Sequence, residues 1–314
     1  MRAAAPLLPL ACPACRTPLE PSPGGMACPR DRRVFAPAGG VWRCLLPERE
    51  AHYARFLREY EFIREAEGRG SPDPAYYRAL PYADLSGRDP EGWQQRARSF
   101  TRFVRRVLEA EEKKRGPRLK VLDLGAGNGW LSYRLAQRGH LCAALDLRAG
   151  RLDGLGAVDC YELPITAVQG EFDRLPFPGG CFDLALFNAS LHYSSAYETS
   201  LREALRVLAP GGKLVVLDTP LYHRASSGEA MLRERAARFT RRYGFPSDAL
   251  DSEGFLTPAR LAQLEAAAGL RWRALHPRLG LGWRLRPWLA RLRRRREGAS
   301  FPVLVGLPGK AQPR

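Results

Sequence analysis

From Arg118 onward, short apolar runs alternate with amphipathic stretches of helical period, the pattern of a doubly wound parallel sheet. Strands are predicted at Lys120 to Leu124, Leu141 to Leu145, Ala167-Val168-Gln169, Phe182 to Phe187 and Lys213 to Leu217. One helix starts near Trp130 and ends at Gly139, and another carries Leu201, Ala204, Leu205 and Leu208 on one face. A further helix carries Leu232, Ala236 and Phe239. Thr257-Pro258 supplies an N-cap and first helical residue for the next one, which Gly269 closes. Leu270 to Leu275 and Phe301 to Gly306 are predicted to add the last two strands.

Upstream the pattern changes twice. Residues 47–116 are helical in period: Tyr53, Phe56, Tyr60 and Ile63 share a face, as do Phe100, Phe103, Val104, Val107 and Leu108. An irregular aromatic stretch, Tyr76 to Tyr82, lies between them. Residues 1–46 hold four of the seven cysteines and eight prolines, which suits a small module of knuckles and turns. The expected organisation is a module at 1–46, a helical extension at 47–116 and a sheet domain at 117–314.

The sharpest motif is Val121-Leu122-Asp123-Leu124-Gly125-Ala126-Gly127-Asn128-Gly129-Trp130. A buried strand runs into glycines that let the backbone approach a ligand, and a helix starts at once. The spacing G-x-G-x-G differs from the dinucleotide fingerprint, and no lysine follows as a phosphate loop requires. Asp146 ends the second strand, where a carboxylate can accept both hydroxyls of a ribose; a solvated strand-end turn is the alternative.

This segment resembles motif I of the class I S-adenosylmethionine-dependent methyltransferases, and Asp146 matches their ribose-binding acid. Gly170-Glu171-Phe172-Asp173-Arg174-Leu175-Pro176-Phe177 is similar to their segment after strand three, Phe182 to Asn188 to their fourth strand, and Arg206-Val207-Leu208-Ala209-Pro210-Gly211-Gly212 to the turn before strand five. The resemblance covers residues 118–218. It implies a Rossmann-like, seven-stranded α/β sheet and an enzyme that uses S-adenosylmethionine. It also implies that Gly125, Gly127, Asn128 and Gly129 pass the methionine and ribose of the cofactor, with Asp123 holding the loop or reaching the amino group through water. By the same resemblance Leu147 would pack on adenine, Glu171 and Phe172 would border it, and Asn188 would face the methionine end. Position 171 is usually Asp in that family.

Methyl transfer needs the acceptor held close and in line, and needs a base only if the acceptor must lose a proton. His192, after the fourth strand, is the candidate base, with an ordinary packed histidine as the alternative. Tyr76, Tyr77, Tyr82, Tyr222 and His223 are candidates for an acceptor pocket. The prolines of the Asn-Pro-Pro-Tyr motif of amino-group methyltransferases are replaced here by Ala189-Ser190.

Composition changes this picture at two points. Cys12-Pro13-Ala14-Cys15 has the spacing of a zinc knuckle, and Cys28-Pro29-Arg30-Asp31 that of a second with its last Cys replaced. Cys12, Cys15, Cys28 and Asp31 could complete a tetrahedral zinc site, with Cys44 as a substitute ligand or with a ribbon that folds without metal. The module resembles the zinc ribbon ahead of some methyltransferase domains, including ribosomal RNA guanine methyltransferases. Fifty basic residues against 33 acidic give +17, and only five of the fifty are Lys. From Arg271 to Arg296 there are ten Arg and no acid, ending in Arg293-Arg294-Arg295-Arg296 beside Trp288, Leu289 and Leu292. Phosphates of RNA, a membrane surface or codon bias would each account for that stretch. No run of about 18 apolar residues exists, and two prolines break the apolar start, so a cytoplasmic protein is expected.

The reading is a methyltransferase with a small-molecule acceptor. RNA methylation through the ribbon and Arg stretch is the alternative, and cofactor binding without turnover the third.

Overall fold

A computed structural model describes residues 6–276 and 296–308. The chain opens with a three-stranded antiparallel sheet, β1 (Glu20–Ser22), β2 (Gly25–Ala27) and β3 (Val34–Phe35). The hairpin β4 (Pro37–Ala38) and β5 (Val41–Arg43) then leaves that small sheet for the large one. Helices α1 (Pro47–Ala66), α2 (Pro74–Ala79), α3 (Pro90–Phe103) and α4 (Glu109–Arg115) follow, with a wider turn of helix at Val104–Leu108 joining the last two. Asp73 and Asp89 cap α2 and α3 by accepting from the backbone N–H of Ala75 and Gly92, and each helix then begins with Pro. The stretch read as irregular is therefore partly helix: Tyr76 and Tyr77 sit in α2, buried.

The sheet domain runs β6 (Lys120–Leu124), α5 (Trp130–Ala136), β7 (Leu141–Asp146), β8 (Ile165–Gln169), β9 (Phe182–Asn188), α6 (Tyr197–Val207) and β10 (Leu208–Leu217). It ends with α7 (Ala225–Tyr243), α8 (Pro258–Ala268), β11 (Leu270–Leu275) and β12 (Val303–Pro308). Spatial order is β11-β12-β10-β9-β6-β7-β8-β5-β4. Strands β8, β7, β6, β9 and β10 are parallel, while β12 runs antiparallel to both its neighbours. These seven are the expected sheet.

Two further strands extend the sheet. Residues Val41, Trp42 and Arg43 pair in parallel with Ala167, Val168 and Gln169, so the N-terminal module contributes to the edge beside β8. Its first knuckle is tied down as well: the Ala11 N–H donates to the Pro176 carbonyl at 2.9 Å, and Arg16 pairs with Glu203 at 2.9 Å. Strand β10 begins earlier than the pattern indicated. Leu208 is already extended and pairs with Phe182, and Pro210-Gly211-Gly212 forms a bulge before pairing resumes at Lys213.

Both faces of the sheet are covered, as parallel sheets require. One face buries Leu122, Leu145, Ala185 and Phe187 beneath Leu201 and Ala204 of α6. The other buries Val121, Ala144, Leu184 and Val215 beneath Phe100 and Phe103 of α3 and Leu131 of α5. The strand order reverses at β6, which lies between β7 and β9, and an open α/β sheet holds its ligand crevice at the carboxyl ends of the strands beside such a point.

Candidate functional site

A cleft opens there, enclosing about 1160 Å³ with its mouth counted. Its floor is made by Gly125, Ala126, Gly127 and Asn128 after β6, Asp146, Leu147 and Arg148 after β7, Glu171, Phe172 and Asp173 after β8, and Asn188 to Ser190 after β9. The four strand ends thus supply four of the sequence-predicted segments to one cavity. Gly125 requires its residue type twice over: φ is +74°, and a Cβ there would stand 2.3 Å from the Ser190 Cβ.

Asp146 fixes the loop geometry. Its Oδ2 accepts from the Gly127 N–H and its Oδ1 from the Arg148 N–H, both at 2.8 Å. Each carboxylate oxygen keeps a further lone pair for a ligand hydroxyl. Gly129 stays out of the cavity wall; it starts α5 in a left-handed conformation beneath Val158. Asn128 spends its side-chain oxygen on the Trp130 N–H at 3.2 Å, while the side-chain oxygen of Asn188 is buried in the wall without a partner among the described residues.

Asp123 is buried behind the floor rather than in it. It accepts the Ser132 hydroxyl at 2.9 Å, and burial pushes its carboxyl up to about 7. The side-chain contact observed is thus with Ser132 near the start of α5, and neither of the two roles expected for this residue, holding the glycine loop or reaching the amino group through water, is itself a contact seen among the described residues.

The roof comes from α1, which the sequence did not connect to the site. Arg49 grips Glu171 through Nε at 2.8 and 2.9 Å and through Nη2 at 2.7 Å, and the Tyr53 hydroxyl donates to the same carboxylate at 2.9 Å. Glu171 is 3% exposed, so this is a buried ion pair with its hydrogen bonds satisfied. The longer side chain at position 171 therefore reaches the roof helix. One turn further along α1, Phe56 and Tyr60 enter the cavity and meet Tyr193, with ring centroids 5.4 to 6.3 Å apart. Arg64 closes the end through Asp153, which Arg148 also holds at 2.9 Å. Trp93 and Arg96 of α3 join the wall, with Arg69, Ser194, Ser195 and Leu250. The only signal for this roof was the Tyr53, Phe56, Tyr60 spacing, which a core stripe shares.

The residues proposed from sequence for an acceptor pocket lie elsewhere. Tyr77 is fully buried and donates to the Ser71 carbonyl at 2.7 Å, Tyr82 and His223 are exposed, and Tyr222 packs on Phe255. His192 borders the cavity without lining it. Its ring packs on Tyr193, its Nδ1 has no partner among the described residues, and burial with Arg235 and Arg96 nearby pushes its pKa down to about 3. Such a ring is neutral at physiological pH but a weak proton acceptor.

In the N-terminal module, one ligand atom each from Cys12, Cys15, Cys28 and Asp31 lies within 4.8 Å of all the others. The Cys15 and Cys28 sulfurs are 3.5 Å apart, and Cys12 lies 3.1 Å from Asp31 Oδ2. That convergence fits the ligand count and chemistry of a zinc site. Cys44 is outside the cluster, its thiol pushed up to about 12 by burial. Trp288, Leu289, Leu292 and Arg293 to Arg295 lie outside the described residues. No helix among the described residues is long and apolar enough to cross a membrane.

Comparison with known proteins locates the same region. Residues 122–216 match the family model of the methyltransferase domain. Malonyl-[acyl-carrier protein] O-methyltransferase of Erwinia pyrifoliae is 36% identical over 132 residues, 41% of this chain and 47% of that protein. Demethylmenaquinone methyltransferase of Mycolicibacterium vanbaalenii is 38% identical over 117 residues, 37% of this chain and 49% of its own length. The chain thus spans about half the length of these relatives. Among solved structures, the 1,6-didemethyltoxoflavin-N1-methyltransferase of Burkholderia thailandensis aligns over 94% of this chain and 97% of its own, at 18% identity and a TM-score of 0.46.

Proposed function

From the match of residues 122–216 to the methyltransferase-domain model, we propose that the chain binds S-adenosylmethionine in the cleft and methylates a small organic acceptor beneath α1. The observation that carries this reading is Asp146, pinned by two backbone N–H groups at the switch point beside the Gly125–Gly127 turn. S-adenosylmethionine supplies an electrophilic methyl group on a sulfonium, which the acceptor displaces in line.

The chain's own residues bind, orient and exclude water. Asp146 takes the ribose hydroxyls, Leu147 and Phe172 border the adenine, and Asn188 offers its buried side-chain oxygen to the methionine end. The Arg49–Glu171–Tyr53 lock holds α1 across the cleft, so the aromatic roof forms with the cofactor site rather than independently of it. Fixing two reactants in line can supply several kcal/mol of a displacement barrier. Relatives named for a malonyl group on acyl-carrier protein and for demethylmenaquinone support an acceptor other than nucleic acid. Cys12, Cys15, Cys28 and Asp31 would hold a structural zinc, fixing the module whose last strands extend the sheet.

The test is transfer of radiolabelled methyl from S-adenosylmethionine into a host extract, then partitioned. Label in the organic-soluble, nuclease-resistant fraction is expected. Nuclease-sensitive label would overturn the acceptor assignment, and no label in any fraction would overturn turnover.

A further inference from the structure

Once the cofactor's share of the cleft is set aside, the remaining wall is mostly aromatic rings and guanidinium groups, with Ser194, Ser195 and Leu250 among them, and its carboxylates have partners. Glu171 is held by Arg49 and Tyr53, and Asp153 by Arg64 and Arg148. Asp173 accepts the Ser200 hydroxyl at 2.6 Å, and Asp146 holds the glycine loop. The Tyr193 hydroxyl is pushed well above its ordinary range by Tyr60 and by burial. Each of these groups already has a partner within the protein.

The cations are differently placed. Arg96 lies over the Trp93 ring with its guanidinium carbon 4.8 Å from the centroid. Its one hydrogen-bonding contact among the described residues is to Asp89 Oδ2 at 3.5 Å, an oxygen that Arg69 already takes at 3.0 Å. Burial foremost, and then the charges of Arg235 and Arg96, depress the protonation of His192, which places both cations near this end of the cleft. An ionised donor with unused N–H groups in a partly desolvated wall is suited to an anion.

Resting on the proposed methyl transfer, we infer that the acceptor is an aromatic anion, a ring bearing a carboxylate or phenolate, that packs against Phe56, Tyr60, Trp93 and Tyr193 with its charge on Arg96. The chemistry balances without a base. A lone pair of the anionic oxygen forms the new bond to the methyl carbon, the sulfur–carbon bond breaks with its pair remaining on sulfur, and a cation and an anion become two neutral products. A carboxylate enters already ionised and no proton moves; a phenol gives its proton to solvent as it binds as the phenolate, and none moves in the transfer itself. The committed anion also explains why His192 can be held neutral and outside the wall.

The experiment is equilibrium binding of benzoate, 2-hydroxybenzoate, 1-naphthoate and 1-naphtholate against the matching amides and methyl ethers, to the protein saturated with S-adenosylhomocysteine. At least one anion is expected to bind about tenfold more tightly than its uncharged isostere, the usual order for one charge-assisted contact. Arg96→Gln should bring that ratio close to one while leaving S-adenosylhomocysteine affinity unchanged, and Arg96→Lys should keep most of it. Uncharged isosteres binding as well as every anion, or a preference that survives Arg96→Gln, would overturn the inference. Failure of the parent protein to bind S-adenosylhomocysteine would instead remove the cofactor reading beneath it. The carboxylate and phenolate arms separate the two sources of charge.

Discussion

Replacing Asp146 with alanine removes the carboxylate on which the cofactor assignment rests. In the structure each oxygen accepts one backbone N–H at 2.8 Å, from Gly127 and Arg148, and each can accept one ribose hydroxyl besides. Hydrogen bonds to a charged group contribute about 1.5–3 kcal/mol each. Loss of the two ribose bonds at the low end comes to about 3 kcal/mol, roughly a hundredfold in Kd. Slackening of the Gly127 turn adds to this loss, because the loop must then be ordered at the expense of binding. The assay is calorimetric titration of S-adenosylhomocysteine into parent and Asp146→Ala, with thermal unfolding of both to show that the variant is folded. A folded variant that binds within threefold of the parent would falsify the ribose assignment.

Further consequences follow from neighbouring contacts. Arg49→Ala leaves Glu171 buried with only the more exposed Arg174, 4.0 Å away, as a cation, a class of change that costs up to about 3–5 kcal/mol, and should lower the unfolding midpoint in urea and weaken S-adenosylhomocysteine binding together. Glu171→Gln with Arg49 retained should cost less, and equal losses would contradict the roof lock. Asp123 has its folded-state pKa raised to about 7 from 3.8 by burial. The native state therefore holds a proton that the unfolded chain has released, and stability falls as pH rises from about 4 to about 7, then levels. Asp123→Asn should lack that decline, and parallel urea midpoints for both proteins across this range would contradict it. Protein purified without chelator should carry one zinc per chain by elemental analysis, and Cys15→Ser should lose it with a drop in thermal midpoint. Stoichiometric zinc retained after that change would place the metal elsewhere.

The sequence was most legible where local chemistry dictates local structure. Thr257 accepts the Arg260 N–H at 3.0 Å and Gly269 closes α8 at φ +63°, as a cap and a terminating glycine should. The strand–glycine–helix unit and the acid after the next strand are equally local, and they meet in the cleft through the parallel pairing of β6 and β7. The roof was not legible. Arg49 and Glu171 are 122 residues apart, and an aromatic face on a helix has the same period whether it covers a ligand or a core. Strands β4 and β5, two and three residues long, fall below the length at which alternation can be read. His192 was chosen for its ordinary pKa, and burial with the charges of Arg235 and Arg96 nearby is a tertiary property that residue type does not carry.

The central claim is that one cleft, floored by Gly125 to Gly127 and Asp146 and roofed by α1, holds the methyl donor. A crystal structure of the protein with S-adenosylhomocysteine tests it most directly. The account predicts adenosine in that cleft, both ribose hydroxyls on the Asp146 carboxylate, and the sulfur turned towards Phe56, Tyr60 and Tyr193. Ligand density at another place, or in the cleft with the ribose away from Asp146, would contradict it.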